Sequence, residues 1–196
     1  MGRMRKTGEG PEAPVDPHEA GFEDVTLPKH LRPIVSSAHL AEGGSPAMSE
    51  VEYGLILASH AFSRWMVRCM AAAGLPGLSP IEILILHSIR HRDREKKLAD
   101  ICLVLDIEDT HIATYAIRKL EKAGLLTTGK AAKEKTVKIT AKGAEACALY
   151  AQIRERLLVD STANARPSEE TLSELAALLR FMSGAFNQAT RSAITL

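Results

Sequence analysis

The chain has 196 residues, 45% of them hydrophobic and 25% charged, with a formal net charge of +1. This ordinary globular composition leaves room for one well-buried domain with extra segments and excludes two full-size domains. No apolar run approaches the ~20 residues needed to span a bilayer, and with only 4% aromatic residues the core must be built of Leu, Ile, Val and Ala.

Residues 1–47 differ from the rest. Pro11, Pro14, Pro17, Pro28, Pro33 and Pro46 interrupt helical runs and Gly-rich stretches flank them, so a flexible N-terminal extension is expected, with Val25–Leu40 as an extended arm. The body is expected to open at Ser49, where Ser49-Glu50-Val51-Glu52 fits a capping box. Val51, Leu55, Ala58, Phe62, Trp65 and Cys69 then recur at spacings of 4, 3, 4, 3 and 4, and Ile56, Met66, Val67 and Met70 form a second apolar face. A helix apolar on two sides, here reaching about Ala73, needs two partners: its own domain and a second subunit.

Ser79-Pro80-Ile81-Glu82 starts the next helix with a cap, a proline at the first helical position and a box-closing glutamate. Its expected buried face is Ile81, Leu84, Ile85, Ser88 and Ile89. The polar run Arg90–Lys97 is a turn into a short helix, Leu98–Leu105. A second turn, Asp106–Asp109, leads to a helix from Thr110 to Ala123, stopped by Gly124. Two β-type runs follow, Leu125–Thr128 and Thr136–Ile139, around a tip from Gly129 to Lys135 that carries Lys130, Lys133 and Lys135. Thr140 caps a helix to about Val159, and after a polar link Ser168 caps the last one. There Leu172, Leu175, Leu179, Met182 and Phe186 repeat at spacings of 3, 4, 3 and 4, a seam for a partner helix.

Charge is distributed unevenly along these elements. His87–Lys142 holds thirteen Lys or Arg against eight Asp or Glu, so a basic middle lies between acidic flanks, the asymmetry expected when one part faces phosphates. Helix, short helix, turn, helix, basic hairpin is the order of a winged helix-turn-helix. The expected fold class is mainly α (α+β), with residues 79–143 as the winged lobe and 48–78 with 144–196 as a helical dimerisation region. The Thr110–Ala123 helix is expected to bury Ile112, Ala113, Ala116, Ile117 and Leu120. Thr110, His111, Thr114, Tyr115, Arg118 and Lys119 then point outward, where such side chains reach base edges in a major groove. Lys130, Lys133 and Lys135 would lie on phosphates or the adjacent minor groove. The homodimer would form through Val51, Leu55, Phe62 and Trp65 on one helix and Leu172, Leu175, Leu179, Met182 and Phe186 on the other.

The stretch Leu98-Ala99-Asp100-Ile101, the run from Thr114 through Arg118-Lys119-Leu120-Glu121 to Gly124-Leu125-Leu126, and Val137-Lys138-Ile139-Thr140-Ala141-Lys142-Gly143 resemble the MarR family of bacterial regulators over residues about 49 to 190. The "RxLExxGLL" ending and "TxKG" entry carry the resemblance together. It implies a homodimer joined through its N- and C-terminal helices, double-stranded DNA as partner, and a possible small-molecule effector. The wing departs from the family pattern: lysines stand where arginines are usual, offering point charges rather than planar forks.

Other residues carry weaker signals. His87 and His91 sit four apart on a helix, a metal-compatible spacing without a third ligand nearby, so no metal site is expected. Cys69, Cys102 and Cys147 are isolated in apolar settings, suit a reducing cytoplasm and read as small buried hydrophobes. Phe62, Trp65 and Met66 either pack as core or line an effector pocket. Phosphate-cradling glycine motifs, GxSxG and HExxH do not occur, so neither an enzyme nor a cofactor is expected. The competing reading is a dimeric winged-helix protein-interaction module; Arg118, Lys119 and the wing lysines favour DNA.

Overall fold

The computed structural model describes residues 34–131 and 134–196. Two compact units divide within one helix, the first ending at Leu57 and the second beginning at Ala58. In the first, the single turn α1 (Ala38–Ala41) precedes the long α2 (Pro46–Ala72). Pro46 therefore does not interrupt a helix but opens one, since the missing proline N–H falls where no intrahelical bond is made. Ser49 lies inside α2 and is not its cap. Its buried hydroxyl donates to the Leu40 carbonyl at 2.8 Å, and the Ile34 N–H donates to the Glu50 carboxylate at 3.0 Å. The end of the expected extended arm is thus a helical turn tied to α2; the rest of that arm lies outside the described residues.

The second unit follows the expected order. After the end of α2 come α3 (Pro80–Arg90), β1 (Lys96–Lys97), α4 (Leu98–Val104), α5 (Thr110–Lys122), β2 (Leu126–Ala131), β3 (Glu134–Ile139), α6 (Ala141–Arg154) and α7 (Glu169–Ala193). The predicted capping box on α3 is present: the Ser79 N–H donates to Glu82 Oε2 at 2.8 Å, and the Glu82 N–H to the Ser79 hydroxyl. The buried face of α3 is rotated from the expected one. Ile83, Ile85, Leu86 and Ile89 are buried, whereas Ile81, Leu84 and Ser88 are only half-buried. The helix ends in a 3-10 turn, His91–Asp93, with Arg92 in the left-handed region at φ 61°. Lys96 closes that end by donating to the carbonyls of Ser88 and His91, as basic side chains do at helix C-termini.

The strands form an antiparallel sheet in the order β1-β3-β2. Its inner residues Leu126 and Val137 join Met70 of α2, Ile85 and Leu86 of α3, Ile101 of α4, Ile117 and Leu120 of α5 and Tyr150 of α6 in one core. All three cysteines are free and buried. α6 continues through a π-helical stretch, Glu155–Asp160, and α7 starts at its predicted cap, with the Ser168 hydroxyl accepting from the Thr171 N–H at 3.2 Å. Among the described residues, no helix is long and apolar enough to cross a membrane.

Candidate nucleic-acid interface

The helix α5 is held by a narrow apolar stripe. Ala113, Ala116, Ile117 and Leu120 are buried, and the Asp109 carboxylate caps the first turn by accepting from the His111 N–H at 2.8 Å. Helical spacing then lines up His111, Tyr115 and Arg118 as one exposed ridge, with Thr110 at its start. Tyr115 is 71% exposed.

Three expectations for this helix change. Ile112 is 50% exposed rather than buried, and it lines a shallow hollow of about 450 Å³ beside α5 together with Ile81 and Tyr115. Thr114 is half-buried, at the edge of the ridge. Lys119 keeps an exposed stem, but its ammonium donates to Glu82 Oε2 at 2.9 Å and to the Gly77 carbonyl at 2.9 Å.

The C-terminal end of α5 is locked to the wing and to α6. Gly124, at φ 73°, allows the closing turn in which the Gly124 N–H reaches the Glu121 carbonyl and the Leu125 N–H reaches that of Leu120. Glu121 accepts from both the N–H and the hydroxyl of Thr128 on β2, at 3.1 and 2.6 Å. The Thr140 hydroxyl donates to the Gly124 carbonyl at 2.8 Å while accepting from the Gly143 N–H, and Lys142 donates to the Ala123 carbonyl at 2.9 Å. The two sequence motifs behind the family resemblance are therefore one hydrogen-bonded junction.

The wing strands run further than the β-type runs predicted, so Lys130 and Lys135 belong to the strands and not to the turn. They are direct cross-strand partners, and like charges so placed repel; an anion between or beside them relieves that repulsion. Lys133 lies outside the described residues. Lys97 pairs with Glu134, both half-exposed, and Thr136 donates its hydroxyl to Glu95. In the basic turn, Arg92 and Arg94 are exposed, whereas Lys96 is turned inward. Burial, then Arg94 and Arg92, lower its pKa below the ordinary lysine value.

Elsewhere, His87 meets Tyr150 edge-on at 4.6 Å between ring centres. It borders both an open groove of about 1010 Å³, lined also by Leu84, Lys96 and Leu103, and a cleft of about 500 Å³ lined by Phe62, Met66, Cys147, Tyr150 and Arg154. Phe62 and Met66 thus share a cleft wall, while Trp65 packs against the core. Burial pushes the Cys147 thiol up to about 11 and raises Cys69 as well, the opposite of what a reactive thiolate needs.

Of the residues expected at a dimer seam, Val51, Phe62, Leu175 and Leu179 are exposed, and Leu55, Leu172, Met182 and Phe186 are half-buried. Trp65 turns to its own core. Leu178 and Phe181, which the spacing argument left out, are 62% and 71% exposed.

Residues 78–143 match the family model described as a winged helix DNA-binding domain. No curated protein matches the chain in sequence. Solved structures do match in fold. The M. tuberculosis regulator MosR in complex with DNA superposes with a TM-score of 0.53 at 16% identity, covering 68% of this chain and 96% of that one. A mutant E. coli MarR complexed with operator DNA gives 0.54 at 18% identity, covering 65% and 89%. Staphylococcus aureus MarR in complex with salicylate and kanamycin gives 0.56 at 13% identity, covering 71% and 91%. The class is a winged-helix protein. Within it, this chain has the fold of the MarR-family transcriptional regulators, as the two motifs implied.

Proposed function

We propose that the protein is a homodimeric, sequence-specific regulator of transcription that binds double-stranded DNA. The observation that carries this reading is the exposed ridge His111, Tyr115 and Arg118 on a helix hydrogen-bonded to α3, to the wing and to α6, beside a wing whose Lys130 and Lys135 are direct cross-strand partners. The ridge enters the major groove, with Thr110 at its leading end and Thr114 at its edge, and the wing lies on the backbone or adjacent minor groove. Residues 79–143 act as the reading lobe; α2 and α7 supply the dimer contacts. The cleft lined by Phe62 and Tyr150 is the place for a small-molecule effector.

The test is selection of bound sequences from a random duplex library. It should return a pseudo-palindrome with half-sites about one helical turn apart, ~34 Å. Arg118→Ala should then cost ~1–3 kcal/mol on the selected site and much less on scrambled DNA, because only the specific complex uses the guanine edge. Equal losses on both would place Arg118 on phosphate. Exposed Ile112 and Tyr115 favour a second reading, a protein partner on α5; failure to enrich any sequence, with no salt-dependent DNA binding, would support it.

A further inference from the structure

Recognition helices are usually rich in free cations, yet here one of them is withdrawn. Glu82 is almost wholly buried, its side chain 4% exposed, and it faces Lys119, 37 residues away in sequence. The same oxygen that closes the capping box of α3 accepts from the Lys119 ammonium. Lys119 also reaches the carbonyl of Gly77, which sits at φ 83° in the turn before α3. A buried carboxylate is expensive unless it is both paired and hydrogen-bonded, and removing its one cation strands the charge. Lys119 is therefore committed: moving its ammonium to a phosphate would leave Glu82 unpaired.

Two consequences follow from where this pair lies. On one side α5 is tied to α3 through Lys119 and Glu82; on another it is tied to the wing through Glu121 and Thr128. These tethers fix the rotation of the helix about its own axis, and so which residues form its outer ridge. Lys119 also neighbours Arg118 on the reading face. Non-specific binding grows with each phosphate neutralised, whereas base readout depends on the seat of the helix. We infer that Glu82 is a positioning residue for DNA recognition, sequestering Lys119 so that α5 is held in register and non-specific phosphate affinity is kept low. This rests on the DNA-binding reading above.

Glu82→Gln tests it: the amide keeps its size and a capping oxygen but loses the charge that holds Lys119. Lys119→Met keeps the stem and loses the ammonium. Each variant, the double variant and the wild type are titrated with the selected site and with scrambled duplex across a salt series, alongside thermal melts. Glu82→Gln should bind scrambled DNA several-fold more tightly at low salt. Its slope of log K against log salt should steepen by about 0.9, the value of one added phosphate contact, and its preference for the selected site should fall about tenfold. Lys119→Met should keep the wild-type slope, because its ammonium touches no phosphate; a slope flatter by about 0.9 would overturn the inference. The double variant should lose the extra slope of Glu82→Gln and, with no stranded charge, remain folded. It decides the matter if Lys119→Met, which leaves the Glu82 carboxylate unpaired, unfolds alone. A lower melting temperature with slope and preference unchanged would make the pair a stabilising contact only. A wild type that binds no DNA would overturn the DNA reading itself, and this inference with it.

Discussion

His87 places an imidazole nitrogen, Nε2, in the interior without a hydrogen-bond partner. Its ring is wedged edge-on against Tyr150, and burial lowers its pKa below the ordinary histidine value of 6.5. The folded protein thus resists protonating a group that the unfolded chain protonates freely. Stability should be fully present above about pH 6.5 and be lost as the pH falls below it, because in that window the unfolded state binds more protons. His87→Phe should flatten this loss while keeping the ring contact, and at neutral pH should change stability by no more than about 1 kcal/mol. Urea midpoints of both proteins from pH 7.5 to 5 would show it; parallel curves would mean that His87 takes up its proton in the folded state. At this scale the sequence was only partly legible. The ridge residues His111, Tyr115 and Arg118 could be read from helical spacing because their exposure is set by α5 alone. Lys119 could not, since its partner Glu82 belongs to another helix and no local pattern marks the pair.

Elements whose ends are set by neighbours in sequence were the most readable. Ser79, Thr140 and Ser168 each cap the helix predicted from them, because capping bonds span only three residues. Ser49 failed for the complementary reason: Pro46 begins the helix earlier, and the serine hydroxyl goes to Leu40 instead. β1 was missed because two lysines carry no strand signal; it exists only through pairing with Val137 and Thr136 of β3. The Gly143 of the helix-entry motif makes a sharper case. A Cβ there would stand 2.3 Å from the Leu125 carbonyl oxygen and 2.9 Å from Ile139, so α6 can meet the end of α5 only through glycine. Gly143→Ala should therefore destabilise the protein by about 1–3 kcal/mol, as overpacked sites do, although alanine is the better helix former. Since it pries at the junction of α5, β2 and α6, hydrogen exchange at Leu125 and Thr140 should accelerate with it. An alanine variant as stable as the wild type would show that the junction yields easily.

Across the whole molecule, the winged lobe satisfies itself and α7 does not. That helix of 25 residues contains no buried residue, and the core of the lobe draws none of its members from it. Leu175, Leu178, Leu179 and Phe181 all stand exposed, an apolar surface too continuous for a helix whose stability must come from packing. The sequence led to the expectation of such a seam, because apolar spacing on an isolated helix is a local property. The spacing argument left out Leu178 and Phe181, which stand further out than Leu172, Met182 and Phe186, because the half-burial of those three depends on contacts within the chain. A second copy supplying the same surface is the simplest cover, by the self-complementarity of twofold contacts, and a stable pair should bury more than ~2,000 Å². The wild type should accordingly sediment as a dimer at micromolar concentration. Leu178→Glu with Phe181→Glu should yield a monomer whose winged lobe keeps its cooperative melt, since none of that core is touched. The monomer should bind a single half-site weakly and lose most of its affinity for the full palindrome, where the wild type engages both halves at once. A double variant that still sediments as a dimer would move the interface off this face of α7.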